Sequence, residues 1–201
     1  MKRLIFSCLV VFAMVAMSPL KNGYQVGDTV TDFKLKNVDG KTVSLVDFKD
    51  AKGIIVVFDC NTCPMSKRYN ERIMALSKMY ASKGFPLVAI NPNSPDVSSG
   101  DSYEKMVEYA KRKGYDFPYL YDDTQKVVIE FGATNTPHAF VLKKTGNELK
   151  VAYIGAIDDN PSEDGSMTKY VEAAVNALLQ GKEVSVPKTK AVGCGIKWKN
   201  S

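Results

Sequence analysis

Ile54-Ile55-Val56-Val57-Phe58-Asp59-Cys60-Asn61-Thr62-Cys63-Pro64 is the stretch whose reading decides the fold. Its first five residues form an unbroken β-branched and aromatic run, the pattern of a strand buried on both faces of a parallel sheet. After the cysteines, apolar residues recur at Met65, Tyr69, Ile73, Leu76 and Tyr80, in the three- and four-residue steps of an amphipathic helix. Gly84 ends that helix, and residues 86–90 read as the next buried strand. Strand, helix and strand at this spacing predict a right-handed parallel crossover. The two cysteines then fall at the carboxyl end of a central strand, where open α/β sheets keep their sites.

Upstream, Phe33 and Leu35 alternate with Lys34 and Lys36, Val38-Asp39-Gly40-Lys41 supplies a turn, and Thr42-Val43-Ser44 resumes the strand. This predicts an N-terminal β-hairpin followed by a short turn. Downstream, residues 91–100 form a loop rich in Pro, Asn and Ser. Asp101 with Glu104 reads as a capping box opening a helix through Lys113, with Tyr103, Met106, Val107 and Ala110 inward and Gly114 closing it. Thr124 is expected to cap a shorter helix ending at Gly132. Residues 139–143 and 149–154 predict an antiparallel hairpin, and residues 167–180 a last helix stopped by Gly181. The fold class is therefore α/β, with a central mixed sheet flanked by helices.

The length suits one domain with a real core. The formal charge of +5 is accounted for by Lys2, Arg3 and the tail 182–201, which has five lysines against one glutamate. The body is near neutral, so no nucleic-acid partner is expected. Residues 1–18 have the layout of a secretory signal peptide, Lys2-Arg3 followed by an apolar run over residues 4–17. That run is shorter than the roughly 20 residues of a spanning helix. The chain is thus expected to be exported, periplasmic or otherwise extracytoplasmic, with a membrane contact only if the segment stays as an uncleaved anchor. Cys8 lies too early in the run for a lipid-attachment site and is read as an inert residue of the discarded signal.

Export places the mature chain where disulfides persist. Cys60, Cys63 and Cys194 remain, an odd number too small for a disulfide-stapled scaffold. A Cys-x-x-Cys pair can be a redox dithiol or half of a zinc site. Zinc needs four ligands, and only Cys194 and the sole histidine, His138, could complete the set. The strand–CxxC–helix setting favours the redox reading. At a helix opening, free N–H groups and the helix dipole favour a thiolate, so Cys60 is assigned as nucleophile and Cys63 as the resolving thiol. Asp59 either opposes that thiolate or is a solvated strand-end residue.

The chain resembles the thioredoxin-like superfamily over residues 25–181, and within it the redoxin group related to alkyl hydroperoxide reductase and thiol-specific antioxidant (AhpC/TSA) proteins. The segments that carry the likeness include Asp32-Phe33-Lys34-Leu35, the CxxC with Pro64, Ala89-Ile90-Asn91-Pro92-Asn93, Thr136-Pro137-His138, Ile157-Asp158-Asp159-Asn160-Pro161 and Gly193-Cys194-Gly195-Ile196-Lys197-Trp198-Lys199. The resemblance implies a thioredoxin-like fold in which Pro137 is cis, opposite the CxxC, with the Thr136 backbone exposed to dock a substrate peptide. It also implies an enzyme without a bound cofactor, a thiol–disulfide oxidoreductase whose partners are protein or small-molecule disulfides and thiols and an unidentified electron donor. Peroxidases of the group carry Pro-x-x-x-Thr/Ser-x-x-Cys. Aligned on Cys63, this chain has Val56 and Cys60 at those two positions, which ranks a thiol peroxidase second; a metal-binding or metallochaperone role ranks third.

Cys194 is either a third redox thiol that reaches the CxxC or a tail cysteine packed on the body, and the second reading is preferred. His138 is read as a strand residue with a satisfied ring rather than a base. The run from Asp158 to Pro161 is read as a solvated turn rather than a cation site. The aromatics Tyr115, Phe117, Tyr119 and Tyr121 are assigned to packing, and Asn91-Pro92-Asn93 to the edge of the site.

Overall fold

A computed structural model describes residues 23–162 and 165–199; the signal-like residues 1–18, with Cys8, lie outside them. In chain order the elements are β1 (Lys34–Asn37), β2 (Thr42–Ser44), β3 (Gly53–Phe58), α1 (Pro64–Tyr80), β4 (Leu87–Asn91), α2 (Tyr103–Lys113) and β5 (Tyr119–Tyr121). They continue with α3 (Lys126–Phe131), β6 (Asn135–Thr136), β7 (His138–Thr145), β8 (Glu148–Gly155), α4 (Tyr170–Leu179) and β9 (Cys194–Gly195). Seven strands form one mixed sheet in the order β2-β1-β5-β4-β3-β7-β8. β3, β4 and β5 run parallel; β1 pairs antiparallel with β2 and β5, as β7 does with β3 and β8.

β3 is buried at every position, as its unbroken apolar run requires. Alternate side chains supply the two cores. Ile55 and Val57 join Tyr69, Ile73, Leu76 and Tyr80 of α1, together with α2 and α4. Ile54, Val56 and Phe58 face the other way, onto α3 and the N-terminal segment through Phe131, Phe33 and Tyr24. Each such side chain removed from water contributes about 1.5–3 kcal/mol before entropy is charged. Gly53 opens the strand because a Cβ there would run into the Leu142 carbonyl and the Phe85 ring.

Two helix starts differ from expectation. Ser102, not Asp101, caps α2, with its side chain accepting from the Lys105 N–H. α3 is entered through Gln125 in the left-handed conformation (φ 58°), without a side-chain cap, while Asp122 accepts from the Val128 N–H. At α2 Ser102 already meets the backbone's need and Asp101 turns inward, whereas at α3 Asp122 itself meets it and Thr124 Oγ1 accepts from the Lys126 N–H at 3.5 Å. The Asp158 turn differs too. Asp158 is buried, accepts from Tyr69 Oη at 3.0 Å and pairs with Arg72 at 2.6 Å, tying α1 to the chain after β8.

Candidate functional site

β3 delivers the chain to the site and α1 carries it away. Pro64 is the first residue of α1 and Cys63 its N-cap, with extended backbone (φ −64°, ψ 125°). The residue before a proline is biased away from the α region, so the helix cannot begin earlier. The positive end of this 17-residue helix therefore lies at Cys63, three residues beyond Cys60. The dipole stabilisation assigned to Cys60 belongs to Cys63.

Among the described residues, a disulfide joins Cys63 to Cys194 across 131 residues, and Cys60 is the free thiol. The bonded partner of Cys63 is thus Cys194 and not Cys60, which corrects the preferred reading of Cys194 as a packed tail residue. Local patterns carry no information on a pairing at that separation. What brings Cys194 in is the tail. β9 pairs antiparallel with β6, Cys194 opposite Thr136 and Gly195 opposite Asn135. Ile196 is buried in the core that faces α3. Beyond it, the Lys197 N–H donates to Asn93 Oδ1 at 2.9 Å, and its carbonyl accepts from the Ser94 N–H and Gln125 Nε2.

Thr136 is the junction of the three cysteines. Its hydroxyl lies 3.2 Å from Cys60 Sγ, its carbonyl oxygen 3.2 Å from Cys63 Sγ, and its backbone is in register with Cys194. The Thr136–Pro137 peptide is cis, as the resemblance implied. The edge at Thr136, expected to be open for a substrate peptide, is filled by the chain's own tail. Gly193 permits this approach, because a Cβ there would sit against the Thr136 carbonyl, inside van der Waals contact. Asn135 Nδ2 donates to the Gly193 carbonyl at 2.9 Å.

Cys60 is wholly buried, with the Ser66 hydroxyl 3.9 Å from its sulfur. Burial pushes its thiol above the ordinary range, and the carboxylates of Asp59 and Asp101 add to the shift. It is a protonated thiol at neutral pH, against the thiolate that the sequence suggested. Asp59 is buried as well, not solvated, and its Oδ1 has no hydrogen-bond partner among the described residues. Desolvation raises its pKa to about 7, opposed by the Ser66 hydroxyl and the Cys60 N–H.

The residues between the first two cysteines are held by Asp101. Its Oδ1 accepts from the Asn61 N–H at 2.8 Å, and its Oδ2 from Thr62 Oγ1 at 2.6 Å, Ser98 Oγ at 2.7 Å and Asn93 Nδ2 at 2.9 Å. The Asn61 side chain donates to the Gly100 carbonyl and accepts from Tyr119 Oη, both at 2.9 Å. Asn91 Nδ2 also donates to Asp101 Oδ1, at 3.5 Å, so both Asn91 and Asn93 reach the site, whereas the role of Asp101 was hidden behind its resemblance to a helix cap. Ser102, one residue on, was the available clue, since it is an equally good cap. His138 is buried, and its Nδ1 accepts from the Thr134 N–H at 3.3 Å. Burial, helped by Lys188, lowers its pKa to about 4, so the ring is neutral. Among the described residues, no three His, Cys, Asp or Glu side chains are grouped so as to hold a metal ion.

The model of the AhpC/TSA family matches residues 26–153. Over 131 residues the chain is 26% identical to the thiol-disulfide oxidoreductase ResA of Geobacillus thermodenitrificans, covering 65% of this chain and 71% of that protein. A conserved protein from Geobacillus kaustophilus has the same fold with a TM-score of 0.82 and 37% identity, over 90% of this chain and 95% of that one. A hypothetical protein from Sinorhizobium meliloti 1021 matches with a TM-score of 0.82 and 33% identity, over 90% and 98%. The family match spans the sheet from ahead of β1 into β8 and takes in Cys60, Cys63 and Pro137, leaving Cys194 beyond its end; the chain belongs to the AhpC/TSA family.

Proposed function

We propose that this chain is an exported thiol–disulfide oxidoreductase whose redox couple is Cys63–Cys194, with Cys60 as a third thiol able to exchange into it. The observation that carries the reading is the disulfide at the N-cap of α1, with a buried free thiol on the same threonine. Cys63 is suited to alternate between disulfide and thiolate because the helix terminus stabilises its anion. Cys60, once deprotonated, can attack Cys63 Sγ. The Cys60–Cys63 bond forms, the Cys63–Cys194 bond breaks, and Cys194 leaves as a thiolate that takes up the proton. No outside oxidant enters that step.

The similarity to ResA supports disulfide exchange as the activity, and the partners are thiols and disulfides. Export rests on the signal-like pattern of residues 1–18. Reduction of insulin disulfides with dithiothreitol as electron source tests the activity. Cys63→Ser is expected to lower the rate to the uncatalysed level, and a variant as active as the parent chain would overturn the reading.

A further inference from the structure

We infer that Cys194, outside the CxxC, is the sulfur that exchanges with partner molecules, and that the CxxC behind it never meets the partner directly. The inference rests on the proposed exchange activity and names the atom through which it runs.

Accessibility singles out Cys194. Cys60 is 0% and Cys63 3% exposed, whereas Cys194 is only half-buried and has the exposed Gly195 beside it. An attacking thiolate must approach a disulfide sulfur along its bond axis, and which sulfur is reached decides the product. The edge at Thr136, which would otherwise lead an extended partner to Cys63, is taken by β9. That occupancy does not depend on the disulfide. Ile196 in the core and the Lys197 and Lys199 backbone bonds hold the tail from beyond the cysteine. Cys63 therefore stays covered when Cys194 is reduced.

The chemistry runs the same way. A partner thiolate attacks Cys194 Sγ, the partner–Cys194 bond forms, and the Cys63–Cys194 bond breaks. The leaving electron pair stays on Cys63, the sulfur at the helix N-cap. The helix terminus stabilises the anion that leaves on Cys63, so Cys63 is the better leaving group and Cys194 the better target. A second thiol of the partner then displaces Cys194. The partner's dithiol has lost two electrons and two protons, and Cys63 and Cys194 hold them as thiols. Reduction of a partner disulfide is the reverse path through the same sulfur. Exposed Lys190, Lys197 and Lys199 flank Cys194, which suits an anionic probe.

Glutathione, an anionic thiol, is the probe. The oxidised full chain is mixed with reduced glutathione, quenched in acid at early times and mapped by mass spectrometry. The adduct is expected on Cys194, and an early adduct on Cys63 or Cys60 would overturn the inference. In the reverse direction, reduced Cys63→Ser and reduced Cys194→Ser chains are each offered oxidised glutathione. Adduct formation on Cys194 in the first is expected to be at least tenfold faster than on Cys63 in the second. Equal rates, or a faster second variant, would also overturn it while leaving disulfide exchange standing. Failure of every chain to react would overturn the exchange reading together with this one.

Discussion

Cys194 stands directly across from Thr136 in a two-stranded antiparallel ladder, and its sulfur is bonded to Cys63. One residue of the site therefore comes from near the chain's end, and the bond that brings it there closes a loop of 131 residues. A cross-link over such a span constrains the unfolded chain strongly, by about 3–5 kcal/mol in the entropic account. In urea unfolding, reduction is expected to cost the parent chain about that amount and to cost Cys194→Ser much less. Equal losses in both chains would show that the bond contributes little to stability.

The tail approaches Thr136 so closely that only glycine fits at 193, whereas a Cβ at Gly195 meets nothing within 4 Å. Gly193→Ala must push the tail outward at the residue before the cysteine. It is expected to slow closure of Cys63–Cys194 by at least tenfold, followed by oxidation of the reduced chain with oxidised glutathione. Gly195→Ala is expected to close within about twofold of the parent rate. If the two variants behave alike, the close approach is not what positions Cys194.

How much of this was legible in the sequence depended on the range over which each signal acts. The β3 run, the α1 stripe and the β7–β8 hairpin are local periodicities, and each produced its element within a few residues. The N-cap at Cys63 was also within reach, because Pro64 forbids an earlier start. Two features were not. The Cys63–Cys194 bond is set by tertiary placement of a tail that has no periodicity of its own. Asp101 and Asp59 carry the same letters as a helix cap and a solvated strand end, and only packing shows that both are buried.

Asp101 receives donors from five residues, Asn61, Thr62, Ser98, Asn93 and Asn91, and so fixes the bend between Cys60 and Cys63. Asp101→Asn would place an amide N–H₂ against at least one of those donors. Losing a charged acceptor in a buried site costs about 2–4 kcal/mol. The variant is expected to show that loss in urea unfolding and a drop of about tenfold in insulin reduction. A stability change below about 0.5 kcal/mol would remove Asp101 from the positioning role.

Asp59 gives the chain a pH dependence of defined sign. Its carboxyl titrates near 7 in the fold against an ordinary value of 3.8, so between those values the folded chain holds a proton that the unfolded chain has lost. Stability then falls as pH rises through that window, and above pH 7 the fold carries a buried charge. His138 acts oppositely. With its pKa lowered to about 4, its contribution is full above about pH 6.5 and is lost as pH falls. Comparing the parent with Asp59→Asn cancels the histidine, which both share. At pH 8.5 the variant is expected to be the more stable chain, by up to about 4 kcal/mol, shrinking toward pH 4. Removing the Asp59 charge also lifts one of the influences that keep Cys60 protonated, so alkylation of Cys60 at pH 8.5 is expected to quicken. A stability difference that does not change between pH 4 and 8.5 would show that Asp59 is ionised throughout, with its charge satisfied in the fold.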